Sequence, residues 1–268
     1  MPDLSGPAGP GRANPSVLVV VPAWNEEGAI ASTIADIRAS VDHDVDVLVV
    51  DDGSTDETAV RAAAAGARVC SLPYNLGVGG AMRTGYRYAV RHRYDVVVQI
   101  DADGQHDPRY LPQLMSRLRL GPGDGADLIV GARFAGEGEK YHVSFPRRFA
   151  MRLLAIVMSR LARTRLTDVT SGYRVANQRA VELFAAHYPA EYLGDTVESM
   201  VIAVRAGCRV QQVPVEMRVR QAGVPSQTPF RAALFLARAV VALSLALIRR
   251  WPDVRDDMEP IPQPLPQP

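Results

Sequence analysis

The sequence predicts an α/β protein built on a mostly parallel sheet that helices cover on both faces. Two observations lead to this prediction. From residue 16 to about residue 132, apolar runs of strand length alternate with longer stretches that fit helices. The strand-like runs are apolar throughout, which is typical of strands buried on both faces. Strands that alternate with helices in this way favour parallel pairing.

The predicted elements of this first part follow one another without an internal repeat. Strands are expected at 16–23, 46–52, 67–72, 94–101 and 127–132. Helices are expected at 26–40, from Asp56 onward, at 77–92 and after Pro108. The second of these helices has a typical start, because the short polar side chains from Ser54 to Glu57 can accept hydrogen bonds from the amides of its first turn.

Helices dominate after residue 133. They are expected at 144–164, 177–187 and 195–207, followed by a strand at 209–219 and a last helix at 230–250. Of the 17 residues from 232 to 248, 15 are apolar. Both ends of the chain are rich in proline and are expected to be disordered. The expected organisation is a tail at 1–15, a folded domain at 16–228, an apolar helix at 229–251 and a tail at 252–268.

The composition excludes several classes of protein. The 268 residues are 47% hydrophobic, and 30 basic against 29 acidic side chains give a net charge of +1. These values exclude a disordered or collagen-like chain and give no reason to expect nucleic-acid binding. The use of only 2 cysteines favours a reducing compartment. Because the first 220 residues show neither a signal peptide nor a run resembling a spanning helix, this part is expected to be cytoplasmic.

Acidic residues follow the fourth predicted strand, at the edge where open parallel sheets bind ligands. Asp101 and Asp103 are two positions apart, so both carboxylates can lean toward one point. Carboxylate oxygens suit Mg²⁺ or Mn²⁺, and a diphosphate can complete the coordination shell. The alternative is that these acids cap a turn or the next helix. His106 is open to two interpretations, a cleft residue or a hydrogen-bonded structural histidine.

Other residues at the strand ends point to a nucleotide or a phosphate. Of Asp51 and Asp52, one is expected to face the cleft and accept hydrogen bonds from a base or ribose. The helix that begins near Gly77 is rich in glycine, so its first amides can approach a phosphate. Arg133 and Arg174 can each pair with phosphate oxygens in a bidentate fork. For either arginine taken alone, a solvated surface position is the simpler interpretation.

Seven blocks occur in a fixed order along the chain: VVVPAWNEEGAI, VVDDGSTDET, NLGVGGAMRTGY, DADGQHDP, GARF, DVTSGYR and DTVESM. Together they resemble glycosyltransferase family 2, in the branch of dolichyl- and polyprenyl-phosphate mannosyl- or glucosyltransferases. The resemblance covers residues 17 to 225. It implies the GT-A fold, which is a Rossmann-like, mostly parallel sheet with helices on both faces, here followed by a C-terminal apolar helix.

The resemblance also implies roles for individual residues. The metal ligands are expected to be Asp101, Asp103 and Gln105, and the catalytic residues Asp103, Arg133 and Arg174. The expected nucleotide-sugar contacts are Pro22, Ala23, Asn25, Glu26, Asp52, Asn75, Gly79, Arg83, Asp101 and Ala102. The expected acceptor or membrane contacts are Arg147, Arg148, Ser171, Glu198, Arg218 and Arg220. Residues 135–141 and 221–227 depart from the family pattern, which bears mainly on the acceptor contacts.

Two basic segments indicate a membrane surface. Residues 140–167 contain one lysine and six arginines, residues 218–250 contain six arginines, and neither segment has an Asp or Glu. Both are rich in large apolar residues, as an interfacial helix on anionic lipid requires. The last helix can lie at the interface or on a partner, span the membrane, or pack into the core, and Arg238 near its middle disfavours spanning. An integral-membrane subunit is compatible with this pattern.

The sequence therefore predicts a metal-dependent, inverting enzyme that moves one sugar from a UDP- or GDP-sugar to a polyprenyl phosphate. It would act at the inner face of the cell membrane as a peripheral protein. A phosphate monoester is already anionic at neutral pH, so this acceptor requires no general base. The alternative is transfer to a hydroxyl of a glycan or soluble acceptor, with Asp168, Asp195 or Glu198 as the base. A third alternative is a degenerate nucleotide-binding or scaffold protein.

Overall fold

A computed structural model describes residues 15–41, 45–121, 123–133, 145–189 and 195–218. The predicted tails at 1–15 and 252–268, apart from residue 15, and the predicted apolar helix at 229–251 lie outside the described residues. Within the described ranges, no helix combines the length and apolarity that crossing a membrane requires.

The described strands form one mostly parallel sheet, as the sequence predicts. The strands are β1 (Val17–Ala23), β2 (Asp46–Asp51), β3 (Arg68–Ser71), β4 (Val96–Gln99), β5 (Leu128–Arg133), β6 (Arg174–Asn177) and β7 (Val210–Val215). Their order across the sheet is β3-β2-β1-β4-β6-β5-β7. Strand β6 runs antiparallel to both of its neighbours, and the other pairs are parallel.

The helices agree closely with the predicted ones. They are α1 (Ile30–Ala39), α2 (Thr58–Ala64), α3 (Gly77–Arg91), α4 (Leu111–Met115), α5 (Phe145–Ala162), α6 (Gln178–His187) and α7 (Asp195–Arg205), with a 3-10 turn at Pro108–Tyr110. The main difference is that α1 starts at Ile30 and not at residue 26. The preceding residues form a turn in which the Glu26 carbonyl accepts hydrogen bonds from the amides of Ala29 and Ile30.

The core lies on both faces of the sheet. On one face, Leu18 and Val20 of β1 belong to a buried cluster that includes residues of α3, α6 and α7. On the other face, Val19 and Val21 belong to a cluster that includes the buried isoleucines of α1 and the leucines of α4. Successive side chains of a strand point to opposite faces, so an uninterrupted apolar strand supplies both clusters.

Strand β6 is an element that the sequence analysis missed. It is only four residues long, and Arg174 and Asn177 at its ends leave two apolar residues between them. Such a run is too short to show a strand pattern. In the sheet, Arg174 pairs with Gln99 at the end of β4 and with Val130 of β5. Because β6 is antiparallel, the residues that precede it reach the edge where β4 ends.

Candidate functional site

The candidate site lies along the edge formed by the carboxyl ends of β1, β2 and β4 and by the residues before β6. Ala23 at the end of β1 pairs with Asp51 at the end of β2. The end of β4 pairs with the start of β6. The loops that carry most of the predicted donor and metal contacts therefore meet at one edge, as the strand pattern predicts.

The loops after β1 and β2 are joined by hydrogen bonds. Oδ1 of Asn25 accepts a hydrogen bond from the Thr55 amide at 2.9 Å, and Oγ of Ser54 accepts one from the Asn25 amide at 3.0 Å. Oγ1 of Thr58 accepts one from the Glu26 amide at 2.9 Å. Asn25 has a positive φ of 54°, which asparagine adopts more readily than most residues. The predicted nucleotide contacts Asn25 and Glu26 thus hold the shape of this edge.

Asp52 has a different environment from the predicted one. Its Oδ1 accepts a hydrogen bond from the Leu76 amide and its Oδ2 one from the Gly77 amide, both at 2.7 Å. These amides lie at the start of α3, where a helix attracts negative charge. Asp52 is buried, and its carboxylate lies at the helix end for which the sequence predicts a phosphate. The expected contact of Asp52 with a base or ribose stays a prediction.

Burial raises the pKa of Asp52 above its ordinary value. The hydrogen bonds from the Leu76 and Gly77 amides lower the pKa, and the neighbouring Asp51 raises it further. The side chain of Asp51 is also turned inward, since its Oδ1 accepts a hydrogen bond from the Ser54 amide at 3.1 Å. Both adjacent carboxylates therefore stabilise the loop that follows β2.

The loop after β4 carries the predicted metal ligands. Asp101 is partly exposed, whereas Asp103 is buried and its Oδ1 accepts a hydrogen bond from the Gln105 amide at 3.0 Å. The Ala102 carbonyl accepts a hydrogen bond from Oγ1 of Thr33 at 3.0 Å, which fixes the loop to α1. Gly104 has a φ of 75°, so the turn between the acids and Gln105 requires a residue that tolerates the left-handed region.

The donor set of this loop fits a divalent metal only in part. Two carboxylates and an amide side chain provide oxygen ligands of the kind that Mg²⁺ and Mn²⁺ prefer. Among the described residues, His, Cys, Asp and Glu side chains do not form a group of three or more that could hold a metal ion. A metal here would need further oxygen ligands, and a diphosphate supplies these.

Arg174 is buried, which excludes the interpretation as a solvated surface arginine. Its Nε donates to the Ser171 carbonyl at 3.1 Å, its Nη1 to Oγ of Ser199 at 2.6 Å and its Nη2 to the Thr196 carbonyl at 2.5 Å. The guanidinium thus holds the first turns of α7. The expected contact of Arg174 with a substrate phosphate stays a prediction.

Arg218 is also engaged by the protein. Its Nη1 donates to Oδ2 of Asp36 at 2.5 Å and its Nη2 to Oδ1 of Asp107 at 2.7 Å. Its amide donates to the Gln105 carbonyl at 2.9 Å. The residues that follow β7 are therefore fixed to α1 and to the loop of the predicted metal ligands. Both ion pairs lie within the fold, and the expected acceptor or membrane contact of Arg218 stays a prediction.

Five other predicted nucleotide-sugar contacts lie at the end of β1, just before α3 or within α3. Pro22 and Ala23 are buried at the end of β1, and Gly79 is buried in the first turn of α3. Asn75 is exposed before α3, where its Oδ1 accepts a hydrogen bond from the Gly77 amide at 3.1 Å. Arg83 of α3 is half-buried and donates through Nη2 to the Ala186 carbonyl at 3.2 Å.

The predicted acceptor side is described in part. Ser171 is fully buried, and Glu198 is half-buried on α7. Oδ1 of Asp168 accepts hydrogen bonds from the amide and the hydroxyl of Thr170 at 3.1 and 3.0 Å. The structure describes the backbone but not the side chains of Arg133 at the end of β5, Arg147 and Arg148 in α5, and Asp195 at the start of α7. Arg220 lies outside the described residues.

Two residues beside Asp101, Gly172 and Tyr173, have no role predicted from the sequence. Gly172 lies so close to the Asp101 carboxylate that a Cβ atom at this position would be 3.2 Å from Oδ2. Tyr173 stacks on His106, with ring centroids 4.9 Å apart. Both residues belong to the quoted DVTSGYR block, but no signal in the sequence shows that a reversed strand places this block beside β4.

Comparison with known proteins identifies the family. The model of glycosyl transferase family 2 matches residues 18–184. An undecaprenyl-phosphate mannosyltransferase of Micrococcus luteus is 30% identical over an alignment of 247 residues, and the match covers 89% of this chain and 97% of that protein. A polyprenol monophosphomannose synthase of Mycolicibacterium smegmatis is 28% identical over an alignment of 234 residues, and the match covers 84% of this chain and 86% of that protein.

Solved structures support the same fold. A crystal structure of glucosyl-3-phosphoglycerate synthase from Mycobacterium tuberculosis, in complex with Mn²⁺, UDP-glucose and phosphoglyceric acid, is 26% identical with a TM-score of 0.64. The match covers 90% of this chain and 82% of that chain. With a family model that spans more than half of its length, the chain belongs to glycosyltransferase family 2 and is a glycosyltransferase with the GT-A fold.

Proposed function

We propose that this glycosyltransferase moves one sugar from a nucleoside diphosphate sugar to a polyprenyl phosphate, with the help of Mg²⁺ or Mn²⁺. The observation that carries the proposal is the similarity to the undecaprenyl-phosphate mannosyltransferase, which extends over 97% of that protein. A match of this extent includes the second half of the chain, where the acceptor contacts are expected. The enzyme would work as a peripheral protein at the inner face of the cell membrane.

The donor is proposed to bind along the edge formed by the loops after β1, β2 and β4. Asp101, Asp103 and Gln105 would hold the metal, which when bound neutralises charge on the leaving diphosphate. Oδ1 of Asp103 accepts a hydrogen bond from the backbone amide of Gln105 at 3.0 Å, and this bond keeps the two residues on one turn. Mn²⁺ in the related synthase structure supports a divalent ion, and Arg133 at the end of β5 is the proposed partner of the donor phosphates.

Asp52 and α3 place a limit on where the diphosphate can bind. The Leu76 and Gly77 amides at the start of α3 already donate to the Asp52 carboxylate, and its negative charge disfavours a second anion at this helix end. Positive charge for the diphosphate must come from the metal and from arginine side chains. The donor diphosphate is therefore proposed to bind at the loop after β4 and not at the glycine-rich start of α3.

The acceptor is proposed to approach from the side of the residues before β6 and of α5. A phosphate monoester attacks as an anion at neutral pH, and inversion at the sugar follows if it attacks opposite the leaving diphosphate. Helix α5 contains four arginines and no acidic residue, and Ile156 on it is 42% exposed. A basic helix with exposed apolar side chains suits the surface of an anionic membrane.

A second candidate is transfer to a hydroxyl of a soluble phosphorylated acid. The observation in its favour is the similarity to the glucosyl-3-phosphoglycerate synthase structure that holds phosphoglyceric acid. A hydroxyl acceptor would need a general base. Glu198 and Asp168 are the described candidates, and the Asp168 carboxylate is largely occupied by Thr170.

Transfer of radiolabelled sugar distinguishes the two acceptors. Purified protein would be given UDP- and GDP-sugars, Mg²⁺ or Mn²⁺, and either polyprenyl phosphate or 3-phosphoglycerate, with EDTA as the control. The proposal expects label that is extracted into organic solvent, depends on polyprenyl phosphate and is lost with EDTA. Label that appears only in a water-soluble product with 3-phosphoglycerate would contradict the lipid acceptor and support the second candidate.

A further inference from the structure

His106 lies beside the predicted metal ligands without being one of them. Its side chain is only 1% exposed. The imidazole stacks on the ring of Tyr173 at a centroid distance of 4.9 Å and an interplanar angle of 16°. The hydroxyl of Tyr173 donates to the Asp107 carbonyl at 3.0 Å, which ties this ring to the same loop. The imidazole plane is therefore fixed between two chain segments.

Both ring nitrogens of His106 face Asp101. Nδ1 accepts a hydrogen bond from the Asp101 amide at 3.0 Å, so this nitrogen carries a lone pair and no proton. The N–H donor of this ring is then Nε2, which lies 3.6 Å from Oδ2 of Asp101. One rigid ring thus contacts the backbone and the carboxylate of the same residue. Because Nδ1 accepts a hydrogen bond, Nε2 is the nitrogen that presents its N–H group to the Asp101 carboxylate.

Gly172 leaves room for the Asp101 carboxylate, because it has no side chain at this close approach. A Cβ atom at residue 172 would be 3.2 Å from Oδ2 and 3.3 Å from Oδ1, closer than most side-chain carbons approach an oxygen. The Asp101 side chain nevertheless stays 41% exposed. The carboxylate therefore has two fixed neighbours, His106 and Gly172, and an open part from which a metal ion can approach.

We infer that His106 is a positioning residue that holds Asp101 in the orientation required for metal binding. The inference rests on the proposed function, because it assumes that Asp101 is a metal ligand. Groups that orient a ligand in this way commonly change metal affinity or activity by about 10- to 100-fold when they are removed. Without the imidazole, the Asp101 side chain gains rotamer freedom, and metal binding has to restrict it again.

Binding of Mn²⁺ tests the inference without measuring activity. Free Mn²⁺ would be followed by electron paramagnetic resonance during titration of the folded variants, with and without UDP or GDP. His106→Ala removes both contacts to Asp101. His106→Asn keeps an acceptor near the position of Nδ1 and removes the contact of Nε2 with the carboxylate. Tyr94→Phe is the matched control, because it removes a hydrogen bond of 2.8 Å to Asp46 from a part of the fold away from the predicted ligands.

We expect the dissociation constant of Mn²⁺ to rise about 10-fold or more in His106→Ala, less in His106→Asn, and not in Tyr94→Phe. Excess Mn²⁺ should restore the turnover of the His106 variants. Wild-type Mn²⁺ affinity in folded His106→Asn and His106→Ala would overturn the inference, and His106→Asn alone decides if His106→Ala fails to fold. Asp103→Asn separates the two ideas, since unchanged Mn²⁺ binding in that variant would contradict the metal site itself.

Discussion

Asp52 shows how the surroundings of a single residue decide its role. A carboxylate after an apolar strand suggests a ligand contact, but both oxygens of Asp52 accept backbone hydrogen bonds at the start of α3. The two loops are close because Gly53, with a φ of 69°, packs so tightly that a Cβ atom would lie 2.8 Å from the Tyr74 carbonyl carbon. This approach depends on tertiary packing, so the sequence could predict a polar edge but not the partner of each acid.

Asp103 is the residue at which loss of charge should affect catalysis most. We expect the Asp103→Asn protein to keep its fold, because the side-chain oxygen of the asparagine can still accept the hydrogen bond from the backbone amide of Gln105. The kcat/KM value should fall at least about 100-fold, since the variant would bind the metal that neutralises charge on the leaving diphosphate less tightly. Sugar transfer and urea unfolding of the same preparation measure the two effects.

The control for this substitution is Asp95→Asn at the opposite edge of the sheet. Asp95 accepts hydrogen bonds from the amide and hydroxyl of Ser16 before β1, far along the strands from the candidate site. Its activity should equal that of the wild type. A stable Asp103→Asn protein with full activity would remove Asp103 from the proposed metal site.

At the level of elements, the contact between α3 and β1 depends on the absence of a side chain. A Cβ atom on Gly85 would lie 2.5 Å from Cγ1 of Val20, both in the buried core. We expect Gly85→Ala to destabilise the protein by about 2 kcal/mol, because overpacking outweighs the gain in helix propensity of about 1 kcal/mol. The free energy of unfolding in urea measures this change.

Shortening the opposing side chain should reverse the effect. In the double variant Gly85→Ala with Val20→Ala, the contacts with both Cγ atoms are removed, and the loss of buried methyl groups and a tight contact of 3.2 Å with the Cβ atom of residue 20 remain. The double variant should therefore be more stable than the sum of the two single changes predicts, as for any pair in direct contact. Additive free energies would show that these two residues do not meet.

Elements with a clear apolar pattern were predictable from the sequence, including the short strands β3 and β4, but β6 was not. β1 and α3 have strong apolar patterns, and both ends of each element were predicted to within one residue. β6 was missed, since four residues that begin with arginine and end with asparagine carry no strand period. Its pairing with β4 and β5 supplies the stability that its local sequence does not.

At the scale of the whole molecule, Arg218 joins parts of the chain that are distant in sequence. It pairs with Asp36 of α1 and with Asp107 after the predicted metal ligands. Burial acts to raise the pKa of Asp107, but hydrogen bonds from Arg109 and Arg218 outweigh it and lower the pKa from 3.8 to about 2. The charged carboxylate is therefore favoured by folding.

This shift predicts how stability depends on pH. The contribution of Asp107 should be complete above its ordinary pKa of 3.8 and should be lost as the pH falls toward about 2. We expect the urea midpoint of the wild type to fall over this interval, and that of Asp107→Asn to be lower at pH 7 and to change less. Asp124→Asn is the control, because Asp124 is fully exposed and its contact with Arg209 is 3.8 Å long.

The site as a whole was predictable in position but not in every contact. Strand ends located the edge, and the resemblance located Asp101, Asp103 and Gln105 on it. The bonds of the Arg174 and Arg218 guanidinium groups to the protein were not predicted from the sequence. Their expected contacts with phosphate or lipid stay predictions. An arginine in a sequence shows only that charge and donors are available, and the fold decides which acceptor they reach.

The reversed direction of β6 has a consequence for how such enzymes can diversify. At this edge, each parallel strand contributes the segment that follows it in the sequence. The antiparallel strand β6 contributes the segment that precedes it. The residues around Gly172 therefore reach the predicted metal ligands from a part of the chain that is not continuous with them. Mutations there can accumulate separately from those in the loops after β1, β2 and β4. A lineage could in this way change which molecule receives the sugar while it keeps the machinery that recognises the sugar's carrier.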